Sequence, residues 1–224
     1  YTASADTAGK SGNIELSVVG LNMNNSIVNA STISNKGNEA ANIEINAGGN
    51  DVNITGTGEL KRLGTETIHG LFALASGSDQ SGAISIVNVD NFHLEKVTVS
   101  SSSTSNSSAG DINISANSVD LDDAFVRTSV YGYNNNGHSG AIDIATNSVL
   151  LISGGDITSS NRANDGSGDA GDIYLNAAGT NGVVGISDSA EISSLKELSS
   201  TGSAGAVTIE AYDFTLSDSL ISAK

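Results

Sequence analysis

Cysteine, proline and tryptophan are all absent from this chain of 224 residues, and each absence narrows what it can be. Without cysteine there are no disulfides, zinc-thiolate sites or thiol nucleophiles. The compartment stays open, although a cysteine-free chain suits export in an unfolded state through an oxidising periplasm. Without proline, nothing interrupts a chain given over to sheet ladders, where a missing N–H is costly away from edges. Aromatic residues make up only 4%, so any core must be aliphatic. Basic residues are scarce as well. Nine Lys and Arg stand against 25 Asp and Glu, a formal charge of -16 that argues against nucleic acids and anionic membrane surfaces as partners. No apolar run is long enough for a membrane helix, and the stretch after Tyr1 has neither a basic start nor an apolar segment resembling a leader. A mature or excised segment is therefore expected.

What is plentiful is Gly (26 residues), with Ser, Asn, Asp and Thr, the composition of many short strands joined by polar turns. A signature recurs seven times: a small residue, a variable residue, then two aliphatics separated by one position. It begins as Gly12-Asn13-Ile14-Glu15-Leu16 and Ala41-Asn42-Ile43-Glu44-Ile45. It returns at Gly82, Gly110, Gly140, Gly171 and finally as Gly205-Ala206-Val207-Thr208-Ile209. The first aliphatics are spaced by 29, 41, 28, 30, 31 and 34 residues.

Within each unit a second apolar pair follows, as Leu21/Met23, Val52/Ile54, Phe92/Leu94, Val119/Leu121, Val184/Ile186 and Phe214/Leu216. The fifth unit is ambiguous between Val149/Leu151 and Leu150/Ile152. A third apolar position comes next, at Val28, Val97, Val126, Ile157, Ile192 and Ile221. The period-two alternation is that of strands with one buried and one wet face. One unit cannot bury its aliphatic face alone; units coiled on one another bury all of them. The fold expected is all-β: a right-handed parallel β-helix (β-solenoid) with three short strands per coil and about seven coils, right-handed because parallel crossovers are. The chain reads as a single segment, 1–224, with an insertion at 56–81.

Corners are expected where Asn117 and Asn147 stand between first and second strands, since asparagine tolerates left-handed backbone. Residues 100–109, 131–139 and 161–170 are expected to be variable loops, where binding differences would sit. Carrying the period past Val207 would bring Ile14 of another copy into step, so the segment is expected either to be cut from a longer array or to stack head to tail.

The recurring Gly-x-Ile-x-Ile followed by Val-x-Leu and a Ser/Asp-rich turn resembles the stem repeats of filamentous haemagglutinin-like exoproteins. Examples are Gly110-Asp111-Ile112-Asn113-Ile114 with Val119-Asp120-Leu121, and Gly171-Asp172-Ile173-Tyr174-Leu175 with Ile186-Ser187-Asp188. The resemblance covers nearly the whole chain and implies export by two-partner secretion from a Gram-negative bacterium. It further implies a secreted or cell-surface adhesin-like rod serving adhesion, aggregation or extracellular matrix formation. The family's amino-terminal secretion domain carries Asn-Pro motifs, which a proline-free chain lacks, so this would be stem.

Three places are candidates for chemistry. Tyr131, Tyr133 and His138, with asparagines at 134–136, offer aromatic faces and polar tips to a sugar; a solvated loop covering the adjacent coil is the plainer account. Asp120, Asp122 and Asp123 offer oxygens to calcium, but match no known calcium spacing, and alternating acids equally mark a solvent face. No other cofactor is called for. The insertion, with Leu60, Leu63, Ile68, Leu71, Phe72 and Leu74 beside Lys61, Arg62 and His69, is expected to form an extra strand pair or short helix. It is either a binding protrusion or packing on the coil's flank.

A structural rod rather than an enzyme is expected, because the acids are scattered and His69, His93 and His138 share no metal or nucleophile spacing. Partners would be a host or neighbouring-cell surface, glycans, or the protein itself, with no nucleic acid and no membrane insertion. The alternatives are a subunit polymerising head to tail into an extracellular filament, and a β-helix that binds or cleaves polysaccharide.

Overall fold

The alternation in the sequence becomes, in a computed structural model of the chain, a stack of parallel strands. The structure describes residues 2–3, 12–34, 41–57, 69–77, 80–104, 107–133, 136–164, 166–196 and 201–224. After β1 (Thr2–Ala3), the first level comprises β2 (Ile14–Ser17), β3 (Leu21–Asn24), β4 (Ile27–Ala30) and β5 (Thr32–Ser34). Four levels follow as pairs: β6 (Ile43–Thr55) and β7 (Gly70–Gly77), β8 (Ile84–Glu95) and β9 (Thr98–Ser103), β10 (Ile112–Asp122) and β11 (Phe125–Tyr133), β12 (Ile142–Ser153) and β13 (Asp156–Asn164). The sixth level is β14 (Ile173–Ala177), β15 (Val183–Ser187) and β16 (Glu191–Lys196); the seventh is β17 (Val207–Glu210), β18 (Asp213–Leu216) and β19 (Leu220–Ala223). Every pairing between levels is parallel, and no helix occurs among the described residues.

Stacking is residue on equivalent residue. Ile14, Ile43, Ile84, Ile112, Ile142, Ile173 and Val207 are successive Cα partners, and all but Val207 are buried. The second aliphatics form a parallel column beside them, and Leu21, Val52, Phe92, Val119, Leu150, Val184 and Phe214 line the second face. The fifth unit is thereby resolved: Leu150 and Ile152 point inward, and Leu151 points to solvent. The third face stacks Val28, Leu71, Val99, Val126, Ile157, Ile192 and Ile221. Here Val99, not Val97, is the equivalent position; Val97 is buried at the preceding corner, level with Ala124.

Three further expectations are corrected. In four levels the first two runs are one bent strand, with register shifts near Asn46/Asn50 and Ala116/Ser118, rather than two separate strands; left-handed backbone occurs at this bend at Gly48, Gly49 and Asn88. Asn117 and Asn147 do not have positive φ; a bulge turns the chain there while keeping its pairing. Second, residues 100–103, 131–133 and 161–164 are strand, not loop. Third, residues 70–77 of the expected insertion are the regular third-face strand β7, with Leu71 in the core. Residues 58–68 and 78–79 of the insertion, and with them the expected strand pair or helix, lie outside the described residues.

Left-handed backbone is concentrated at the corner between second and third faces, at Asn25, Lys96, Asp123, Gly154, Asp188 and Asp218. The recurrence of Asp here is conformational, because a short side chain tolerates this region best. At Asp188, hydroxyls of Ser153 and Ser187 donate at 2.8 Å each and hold the carboxyl below its usual value. Lys96 is the exception, a long side chain at φ +52°. Lys96→Gly is therefore expected to raise stability by about 0.5 to 1 kcal/mol, and Asp123→Val to lower it by about 1 to 2 kcal/mol. Melting temperatures of the two variants check both.

Candidate functional site

The signature's small residue explains how the coil closes. A Cβ at Gly110, Gly140, Gly171 or Gly205 would lie 2.1–2.4 Å from the carbonyl oxygen of the glycine one level below. Consecutive corners therefore stack backbone on backbone. Hydroxyls of the third face tie these corners to the interior: three serines bridge successive glycines, and Thr128 donates to the Gly140 carbonyl at 2.6 Å. Ser101 donates to the Gly82 carbonyl (2.9 Å) and accepts from Gly110 N (2.9 Å). Ser159 does the same between Gly140 and Gly171, and Ser194 between Gly171 and Gly205. These buried hydroxyls satisfy backbone groups that the ladder leaves over where the chain changes direction.

The signature's variable residue is less variable than it reads. Asn13, Asn42, Asp111 and Asp172 each accept, through Oδ1, the backbone N–H of the same position one level up: Asn42, Ala83, Ala141 and Ala206. A second such column runs from Ser108 to His138 to Asp169 to Ser203, each side chain accepting the next level's N–H. His138 is thus a coil-to-coil acceptor: its Nδ1 takes the Asp169 amide at 3.1 Å.

The candidate metal residues are spread out. Asp120 and Asp122 point outward from β10, and Asp120 is engaged with His93 Nδ1 at 3.0 Å. Asp123 has turned the corner at φ +48°. No group of three or more His, Asp or Glu arranged to hold a metal occurs among the described residues.

On the first face Asp143 has one buried carboxylate oxygen without a hydrogen-bond partner, and burial pushes its carboxyl up. Beside it, the Tyr174 hydroxyl donates to Glu210, which pushes the phenol up. A folded carboxyl raised above its ordinary 3.8 favours the fold fully below that value and loses the contribution as pH rises through its shifted value. Asp143→Asn is therefore expected to melt higher than the parent at neutral pH, with the gap closing as pH falls towards 3.8; melting curves over that range check the sign.

The outward side of the third face carries a groove of about 290 Å³. Its floor is Ser129, Thr158, Ser160 and Ser193, all outward-pointing yet only 0–7% exposed, because longer neighbours rise around them. One wall is Tyr131 with Arg162, paired in register across β11 and β13. The opposite wall is Asp156 with Glu191, paired across β13 and β16. Arg127 lies on the Phe125 ring, 4.4 Å from its centroid, and donates to Asp156 at 2.6 Å. Of the sugar candidates, Tyr131 is in this groove; His138 sits at the corner beyond it. Tyr133 ends β11, and its side chain lies outside the described residues.

Arg127, Arg162 and the hydroxyl floor were missed in the sequence because Ser and Thr occupy both faces of these strands, which erases the period-two signal. The usable trace was that two of the chain's three arginines fall in equivalent third-strand segments. A smaller dent on the second face, beside Leu151 and Thr215, is the space left by the missing side chain of Gly185. No family model, curated protein or solved structure matches the chain.

Proposed function

We propose that the chain is a rod-forming segment of a secreted or cell-surface bacterial exoprotein of the filamentous haemagglutinin-like kind, holding an adhesive or aggregating surface away from the cell. The observation that carries this reading is what the recurrent residues do. The aliphatics fill the core, the glycines let corners touch, the serines and Asx side chains link level to level, and the Asp residues turn a corner. Repetition has been spent on making a stiff prism, and its outward positions differ from level to level. The reading is of a structural protein: incubation with acidic and neutral polysaccharides is expected to leave their length unchanged on size-exclusion chromatography. Electron microscopy of native material is expected to show straight rods gaining about 4.8 Å per coil; flexible beads or compact particles would end the proposal.

A second reading, a subunit stacking end to end, is favoured by the seventh level. Phe214 and Leu216 occupy core columns yet are 44–46% exposed, and among the described residues β17, β18 and β19 each pair on one side only. Such an edge templates another coil, from the same chain or from another copy. Sedimentation velocity of the isolated chain separates the two: concentration-dependent growth supports copies, and a constant monomer supports a stem.

A further inference from the structure

The geometry points to the third-face groove as a binding site for an acidic oligosaccharide in which a carboxylated sugar alternates with an uncharged one. Its two ends differ in chemistry. At one end the Arg162 guanidinium has no hydrogen-bond or ion-pair partner among the described residues, although the chain as a whole carries -16. The guanidinium fork suits a sugar carboxylate bidentately, and the part-exposed Tyr131 ring beside it offers a sugar face an apolar surface with a polar tip. At the other end Glu191, beside the Arg127–Asp156 ion pair, accepts hydrogen bonds from hydroxyls and repels a second negative charge. Asp156 and Arg162 are six residues apart along β13, roughly 20 Å at the strand rise, so the ligand is a run of sugar units.

The floor between them is built for hydroxyl partners. Ser129 and Ser160 share one contact at 3.0 Å, and Thr158 and Ser193 share one at 3.4 Å. A hydroxyl has one donor and two acceptor positions, so each pair keeps spare hydrogen-bonding capacity, and Thr158, at 7% exposed the most open of the four, presents it to the groove. Other ligand classes fit less well. A nucleic acid would set a phosphate against Asp156 and Glu191. A peptide adding itself as a strand finds no free backbone here, because β11, β13 and β16 are already paired with one another. This inference rests on the register of the third face and stands apart from the rod reading.

Titration calorimetry with a hexasaccharide alternating glucuronate and N-acetylglucosamine tests it. The intact chain is expected to bind. Arg162→Gln, an exposed change that leaves the circular dichroism spectrum as it was, is expected to weaken binding at least tenfold, as is the methyl ester of the same sugar. Ser160→Leu, which fills the floor, is expected to abolish binding, and a uniformly charged hexauronate to bind several-fold more weakly. No heat at millimolar sugar, an Arg162→Gln variant that binds like the parent, or an ester that binds equally well would each overturn the site.

Discussion

Gly140→Ala is expected to destabilise the protein by about 3 kcal/mol or more, the upper end of what overpacking costs. The added methyl would stand 2.1 Å from the Gly110 oxygen, 2.5 Å from its carbon and 2.9 Å from Asp111 N. All three are backbone atoms in a corner where strands enter the first face, so none can swing aside. Moving the corner would also lengthen the bond from Ser159 to the Gly140 carbonyl, now 3.0 Å. Gly185→Ala is the matched control. Its methyl would meet the flexible end of Leu151 at 3.1 Å on the solvent side, and a strand gains about 0.5 kcal/mol when Gly becomes Ala. Urea midpoints should move in opposite directions.

Leu150→Ala is expected to cost about 2 to 5 kcal/mol, and Leu151→Ala within about 0.5 kcal/mol of nothing. The two residues are neighbours, but Leu150 is fully buried between Val119 and Val184 while Leu151 is 44% exposed. In a stack where each level touches only its neighbours, the damage should be local. Hydrogen exchange is expected to speed up in β10, β12 and β15 for Leu150→Ala and to stay as it was for Leu151→Ala. Equal effects would mean that the register of the second face is wrong.

Much of the fold was legible because first- and second-face strands obey a simple code. Ile142, Ile144, Leu150 and Ile152 face inward because sheet geometry alternates sides, and an apolar residue every second position announces it. The third face hid itself. Ser159 and Asn161 are buried polar residues that hydrogen-bond corner carbonyls, and Thr158 and Ser160 are polar on the outside, so inside and outside look alike in sequence. The same degeneracy made residues 100–103 of β9, 131–133 of β11 and 161–164 of β13 read as loops, and concealed the groove built on these strands.

The candidate residues divided along similar lines. Tyr131 was visible as an aromatic among polar neighbours, but its partner Arg162 lies 31 positions away and becomes adjacent only through the pairing of β11 with β13. His138 was noticed for its chemistry and turned out to serve the Asp169 amide. Asp120 and Asp122 share the outer face of β10, but the left-handed corner turns Asp123 away from them, and Asp120 is engaged with His93.

From the amino-acid order alone came the class of fold, its period and most of its core, because those depend on which residues avoid water at regular intervals. Tertiary structure decided which glycines must touch, where the serines bond, and which distant charges meet across a groove. Those are properties of one coil lying on another, fixed by the pairing of strands distant in the chain, which leaves no local signal.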